Sequence, residues 1–363
     1  MDTFIAEFQI VLLILFTSII GGLLFTPLAF SITRKFGILD SPGTAAHKKH
    51  KYETPLAGGL VLILVLATVF IIFGRSFTPD AWKILAATLV VAVFGIYDDW
   101  RGLDVKRKLL GQFLAAGLLI YLGVQISIVR FSIGPLTPDI LNPLLTVIWL
   151  IGVTNAYNLI DSADGLAISL GITSSLFMIV GGVVALQVDL TYQATIILGV
   201  FLVLLLHNIT PARLFLGDSG AQTAGFLLAS LGILYNPAGL DRLSSWFVPI
   251  TFFALPIFDT CLVFFSRLKR GIPFYRADLN HTYHRLVRLG LSPGRAIWLM
   301  DLAALTVGAT GLFALYQEPA LANLIFAGLI VSGMLAFMYL DRAFQVLAPR
   351  RPKAQGVSVD GAV

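Results

Sequence analysis

The sequence predicts an all-α polytopic membrane protein of about eleven transmembrane helices, with the N-terminus outside and the C-terminus cytoplasmic. Three observations carry this. Hydrophobic residues make up 57% of the 363 and charged residues only 12%, about half of the roughly 25% usual in soluble domains. The apolar residues fall into runs near the ~20 positions needed to cross a bilayer. The Lys and Arg residues gather on one alternate set of the connections between those runs.

The first run, 8–32, is preceded by Asp2 and Glu7 and by no Lys or Arg. That charge is wrong for a secretory leader, so the run is expected to remain as a helix. Spans follow near 57–74, 81–97, 108–124, 141–154, 166–186, 191–207, 220–235, 246–266, 296–315 and 320–340. The 141–154 run is short, and its helix is expected to begin in the preceding loop. No internal repeat is visible. The connections 33–56, 98–107, 155–165, 208–219, 267–295 and the C-terminus then share one side. With Lys108 included, that side holds 21 of the 25 basic residues, leaving Arg75, Lys83, Arg130 and Arg242 on the other. The positive-inside rule makes the basic side cytoplasmic. The outer stretch 124–133 is rich in β-branched residues and is expected to form a small strand. Cys261 is the single cysteine, which excludes a disulfide framework and a thiolate metal site.

Chemistry concentrates on the inner side. Loop 33–56 carries His47, Lys48, Lys49, His50 and Lys51, suited either to a phosphate or to ordinary positive-inside charge. Asp98-Asp99 ends an apolar run, and Lys106, Arg107 and Lys108 follow. Acids beside bases suit a phosphate held by Lys or Arg together with a divalent cation. The segment Asn155-x-x-Asn158-x-x-Asp161-x-x-Asp164-Gly165 puts two amides and two carboxylates at a membrane boundary, which is costly unless something binds there. If the segment is helical, the i, i+3 spacing places all four on one face. Amide and carboxylate oxygens suit Mg²⁺ better than zinc. Phe215 can stack on a base, and Gly217-Asp218-Ser219-Gly220 opens a helix with free N–H groups. Asp259 interrupts the ninth span, and His281, His284, Arg285 and Arg288 fall at helical spacing. They form either a diphosphate grip or a basic stripe on anionic lipid.

Together these loops resemble the polyprenyl-phosphate N-acetylhexosamine-1-phosphate transferases. The resemblance rests on Asp98-Asp99, the Asn155 to Gly165 segment, Phe215-x-Gly217-Asp218-x-Gly220 and the His281–His284 loop, in that order and on one side. Two departures narrow it. The family's His-x-His-His pattern is His281-Thr-Tyr283-His284 here, and the three successive histidines of the phospho-MurNAc-pentapeptide translocase branch are missing. The undecaprenyl-phosphate GlcNAc-1-phosphate transferase branch is the closer match, and Asp259 matches an acid of that branch.

The resemblance implies a single transmembrane catalytic domain, 1–345, with a basic cytoplasmic tail, 346–363. It implies phosphoryl transfer from a UDP-amino-sugar to polyprenyl phosphate, with UMP leaving, for cell-envelope glycan synthesis such as lipopolysaccharide or teichoic acid. Asp98, Asp99, Asp161 and Asp164 would serve catalysis; Asp218, Asp99 and Asp164 would meet Mg²⁺, or Mn²⁺ in its place. Asn155, Asn158, Phe215, His281, His284, Arg285, Lys48, Lys106 and Lys108 would hold the substrates. The implied partners are the lipid and the nucleotide sugar at the cell's inner membrane, with no nucleic acid and a homodimer left open. The alternatives are the phospho-MurNAc-pentapeptide transferase and, in another class, a transporter whose acids would lie near the bilayer midplane. A CDP-alcohol phosphotransferase would need an Ala-Arg after Asp164-Gly165, where this chain has Leu166-Ala167.

Overall fold

The computed structural model describes residues 2–42, 53–128, 132, 135–237, 240–272 and 280–347. Its first half runs α1 (Asp2–Phe36), α2 (Gly58–Phe73), α3 (Pro79–Arg101), α4 (Val105–Tyr121), α5 (Pro138–Ile160), α6 (Leu166–Val184) and α7 (Val188–Asn208). The second half runs α8 (Gly217–Leu234), α9 (Arg242–Ser245), α10 (Val248–Phe252), α11 (Ala254–Lys269), α12 (Thr282–Arg288), α13 (Pro293–Leu315) and α14 (Pro319–Leu347). Helices α3, α5 and α13 each start with a proline after an extended Thr or Ser. A first-turn proline loses no helical hydrogen bond, because that N–H has no intrahelical partner.

Each expected span carries helix. Among the described residues, eight helices are long and apolar enough to cross a membrane, and a bent pair makes a ninth if taken as one span. Helix α4, at 17 residues, is shorter than those eight, and the first turn of α8 is polar. The ninth expected span, 246–266, is not one straight helix. It breaks at Phe253, and its two arms diverge by 72°. Helix α5 does begin in the loop, at Pro138. It also runs six residues past the expected end, so Asn155 and Asn158 are helical while Asp161 and Asp164 follow the helix. Residues 124–128 form no strand; Ser132 apart, the remainder of that stretch lies outside the described residues, as do Lys48 and its neighbours and the tail beyond Leu347.

Helix α8 lies at the centre, buried along almost its whole length and packed against α2, α3 and α5. Gly95 permits that contact: a Cβ there would lie 2.6 Å from the Ser219 Cα. Helices α1 and α14 expose apolar side chains such as Leu24, Leu324 and Met334. A soluble protein would not tolerate that surface, and lipid would cover it. On the face where α1 ends, β1 (Leu39–Asp40) pairs antiparallel with β2 (Thr54–Pro55). Leu56 then bridges to Phe215, docking this strap onto the approach to α8.

Candidate active site at the helix ends

The C-terminal ends of α3 and α5 meet the N-terminal ends of α4 and α8. Lys108, in the first turn of α4, places its Nζ 2.5 Å from Asp98 Oδ2 and 3.1 Å from Asp218 Oδ2. Asn158 Nδ2 donates to the other oxygen of Asp218 at 2.5 Å. Asp98 is 4% exposed, with Oδ1 accepting from the Leu103 N–H. Four helices thus converge on one ammonium and two carboxylates at one edge of the bundle.

Asp99 points into α8. Its Oδ1 accepts from the Asp218 N–H at 2.7 Å, and its Oδ2 accepts from the Ser219 N–H at 3.0 Å and the Ser219 hydroxyl at 2.5 Å. This carboxylate satisfies N–H groups that a helix start leaves without partners, and it complements the helix dipole. Gly217 makes the approach possible. Its φ is +74°, and a Cβ would sit 2.7 Å from Asp99 Oδ2. The adjacent acids therefore divide the work: Asp98 faces Lys108, and Asp99 fixes the turn that carries Asp218.

Beneath them lies an amide layer. Asn155 Nδ2 donates to Gln112 Oε1 at 2.7 Å, and Gln112 Nε2 donates to Gln222 Oε1 at 3.0 Å, tying α5, α4 and α8 together. Gln222 was not singled out from sequence, although an amide within an apolar run is a usable signal.

Asp161 and Asp164 flank the cluster on the turn between α5 and α6. Burial pushes Asp161 up to about 7, with Asp218 and Asp164 adding repulsion. Asp164 Oδ2 accepts from the Ala212 N–H at 3.3 Å. Asn208 fastens this turn, accepting from the Gly165 N–H and donating to the Leu214 carbonyl, both at 2.7 Å. Among the described residues, no three His, Cys, Asp or Glu side chains gather at metal-ligand spacing. Three mutually repelling carboxylates and an amide still fit Mg²⁺ in kind, since that ion takes one or two carboxylates and leaves its other positions to substrate phosphates and water.

Helix α12 closes the site from the other side of the sequence. Asp164 lies near enough to Tyr283 to add to the rise that burial imposes on its phenol. The Tyr283 and His284 rings are 5.1 Å apart. His281 Nδ1 meets Asp259 Oδ2 at 2.7 Å. Arg285 is buried, with Nε donating to the Asn280 carbonyl at 2.8 Å and Nη1 3.3 Å from Asp341 Oδ1. It fastens α12 to α14. Lys106 is exposed, and Phe215 is half-buried where the strap docks onto the approach to α8. Asp341 and Asp301, the latter accepting from the Ser169 hydroxyl at 2.9 Å, were not anticipated. Asp301 lies within an apolar run, a signal already used for Asp259, and Asp341 directly follows one.

The chain is similar to known proteins over most of its length. The glycosyl transferase family 4 model matches residues 81–236, the stretch from α3 through α8 that supplies Asp98, Lys108, Asn158 and Asp218. A probable undecaprenyl-phosphate N-acetylglucosaminyl 1-phosphate transferase of Bacillus subtilis is 30% identical over 289 residues, 76% of each chain. The decaprenyl-phosphate N-acetylglucosaminephosphotransferase of Mycobacterium leprae is 28% identical over 324 residues, 81% of each chain. The undecaprenyl-phosphate alpha-N-acetylglucosaminyl 1-phosphate transferase of Escherichia coli K12 is 26% identical over 323 residues, 85% of this chain and 86% of its own. By the extent of these matches, and by the helix-end cluster that lies within the matched stretch, this chain belongs to glycosyl transferase family 4.

Proposed function

We propose that this enzyme transfers GlcNAc-1-phosphate from UDP-GlcNAc to polyprenyl (undecaprenyl) phosphate at the cytoplasmic edge of the inner membrane. A phosphate oxygen of the lipid attacks the sugar-proximal phosphorus. The bond from that phosphorus to the bridging oxygen breaks, and UMP leaves with the electron pair, giving polyprenyl-diphosphate-GlcNAc. The observation that carries this is the meeting of Asp98, Lys108, Asn158 and Asp218 at one edge of an apolar bundle. A lipid phosphate reaches such an edge without leaving the bilayer. The names of the relatives support GlcNAc over the MurNAc-pentapeptide.

Phosphoryl transfer needs positioning and charge neutralisation more than covalent catalysis. Lys108 supplies a positive charge for the diphosphate oxygens, and Asp98 orients it and takes the acceptor's remaining proton. Asn158 holds Asp218 in place. Asp218, Asp161 and Asp164 are the residues that would hold Mg²⁺, or Mn²⁺, with Asp99 fixing the turn behind Asp218. Bound there, the cation would neutralise charge that develops on the diphosphate. His281, which caps the start of α12, and His284 within it face the sugar-diphosphate side, and Phe215 stacks on uracil. Eleven crossings, with the N-terminus outside and the C-terminus inside, agree with the alternation of helix ends about the site.

The test is purified protein with Mg²⁺, undecaprenyl phosphate and UDP-GlcNAc, assayed for UMP. UMP should appear only when lipid and cation are both present, and Asp98→Asn and Asp218→Asn should each lower the rate by at least about 100-fold. A wild-type protein releasing no UMP from any UDP-amino-sugar sinks the proposal.

A further inference from the structure

Asp259 sits in α11, on the long arm of the bent pair, with its side chain 1% exposed. Two donors from the start of α12 converge on it. The His281 Nδ1 lies 2.7 Å from Oδ2, and the Thr282 backbone N–H donates to Oδ1 at 2.5 Å. A carboxylate accepts and does not donate, so Nδ1 carries the hydrogen and Nε2 is left as the nitrogen available to a ligand. Among the described residues, the aromatic neighbour of that ring is His284, 6.2 Å away between centroids. Two nearby cations are engaged with another acid. Arg285 on α12 and Lys269 on α11 both meet Asp341 of α14. The two titratable residues of α13 are Arg295, which is exposed, and Asp301, which pairs with Ser169.

We propose that Asp259 is a positioning residue for the transfer reaction: it holds His281 Nδ1–H toward α11 and balances the charge of the imidazolium whose Nε2–H donates to the diphosphate of the sugar donor. The inference rests on the functional reading above for the identity of that ligand. It extends the site by a residue that lies outside the helix-end cluster and touches no substrate. It also explains an acid in an apolar helix, which would otherwise be a cost without a return. The requirement is for two acceptor oxygens. An Asn at 259 has one, so it either leaves the Thr282 N–H without a partner or turns its NH₂ toward Nδ1. The second arrangement strips the hydrogen from Nδ1, and either one removes the carboxylate charge that supports a doubly protonated ring.

A double-mutant cycle separates positioning from simple helix docking. Asp259→Asn should lower kcat/KM by about 10- to 100-fold, His281→Ala by at least as much, and the double variant no further than His281→Ala. Multiplying losses would show that Asp259 serves only the α12 start, and full activity in Asp259→Asn would also overturn the proposal. Because these variants bear on folding, ¹⁵N-histidine spectra of the wild type give a second measure, with His281 assigned from His281→Gln. Nδ1 should be protonated in the absence of ligand, and UDP-GlcNAc should shift Nε2 more than Nδ1. An Nδ1 lacking its hydrogen, or a UDP-GlcNAc shift confined to Nδ1, rejects the inference. A wild type that releases no UMP sinks the functional reading and the ligand half of this inference together. The protonation of Nδ1 then decides the role of Asp259 by itself.

Discussion

Lys108 is the residue whose loss should be felt by the most neighbours. Its ammonium sits between Asp98 and Asp218, and removing it leaves two carboxylates facing each other across a half-buried gap. Lys108→Met should cut turnover by at least about 100-fold, measured as UMP release, and should lower the cation concentration needed for half-activity, because the two acids lose the ammonium that competes with a metal. Asp104 provides the contrast. It is exposed and caps α4 by accepting from the Arg107 N–H at 2.8 Å. Asp104→Asn keeps a good cap and full activity, whereas Asp104→Ala should cost about 1 kcal/mol of stability. Asp161 gives a pH signature. Its pKa is raised by burial to about 7, against about 3.9 in an unfolded chain. The folded state therefore binds the proton more tightly, and this contribution to stability fades as pH rises from about 4 to 7. In chelator, the melting temperature of the wild type should fall across that window relative to Asp161→Asn and run parallel to it above. A difference that stays flat, or rises with pH, would contradict the assignment. The sequence displayed the acids and amides of this cluster because each stood out against apolar runs. It could not display which oxygens are already engaged. Asp98 and Asp99 look equivalent as neighbours, yet a helical step of ~100° sends one toward Lys108 and the other into the start of α8. Arg285 shows the same limit: its place in a basic stripe suggested a substrate contact, and its partner, Asp341, lies 56 residues away.

At the scale of elements, the site depends on how closely α3 approaches α8. Gly95 has no Cβ to hold them apart, and an added one would lie 2.6 Å from the Ser219 Cα and 3.1 Å from its N. Backbone cannot yield as a flexible side chain does, so Gly95→Ala should destabilise the protein by about 1–3 kcal/mol. It should also lower activity without altering any group of the site, because Asp99 would lose its grip on the Asp218 turn. A melting temperature and rate equal to wild type would show that the helices have slack. Helix positions were legible because apolar length is set by the bilayer. Their ends were less so. Helices α3 and α5 run on past the apolar residues through Asp98, Asp99, Asn155 and Asn158, since their polar side chains find partners on neighbouring helices instead of in water. The break at Phe253 was missed for a different reason: both arms of the bent pair are apolar, and hydropathy is blind to direction.

Taken whole, the molecule makes a claim about sides that hydrogen bonds and charge support independently. Asp98 and Asn158 end their helices, Lys108 and Asp218 begin theirs, and all four meet. Gly165 and Asn208 join the start of α6 to the end of α7 on the same face. That pattern requires α4 with α5, and α6 with α7, to go out and return, although α4 has only 17 residues. The sequence follows the same alternation, since 21 of the 25 basic residues fall in the connections expected on the side of the site. If this face is cytoplasmic, a cysteine replacing exposed Arg107 should be shielded from a membrane-impermeant thiol reagent in intact cells and labelled in inverted vesicles. A cysteine at Glu318, exposed in the turn between α13 and α14, should behave in the opposite way. Cys261→Ser provides the background, because it removes the single native thiol. Labelling of both positions from one side would break the alternation between α4 and α13, and labelling in the reverse sense would put the site outside. The second outcome would also conflict with the proposed donor, because nucleotide sugars are made and kept on the cytoplasmic side. Sidedness is thus the property on which the charge pattern, the convergence of helix ends and the proposed chemistry all depend.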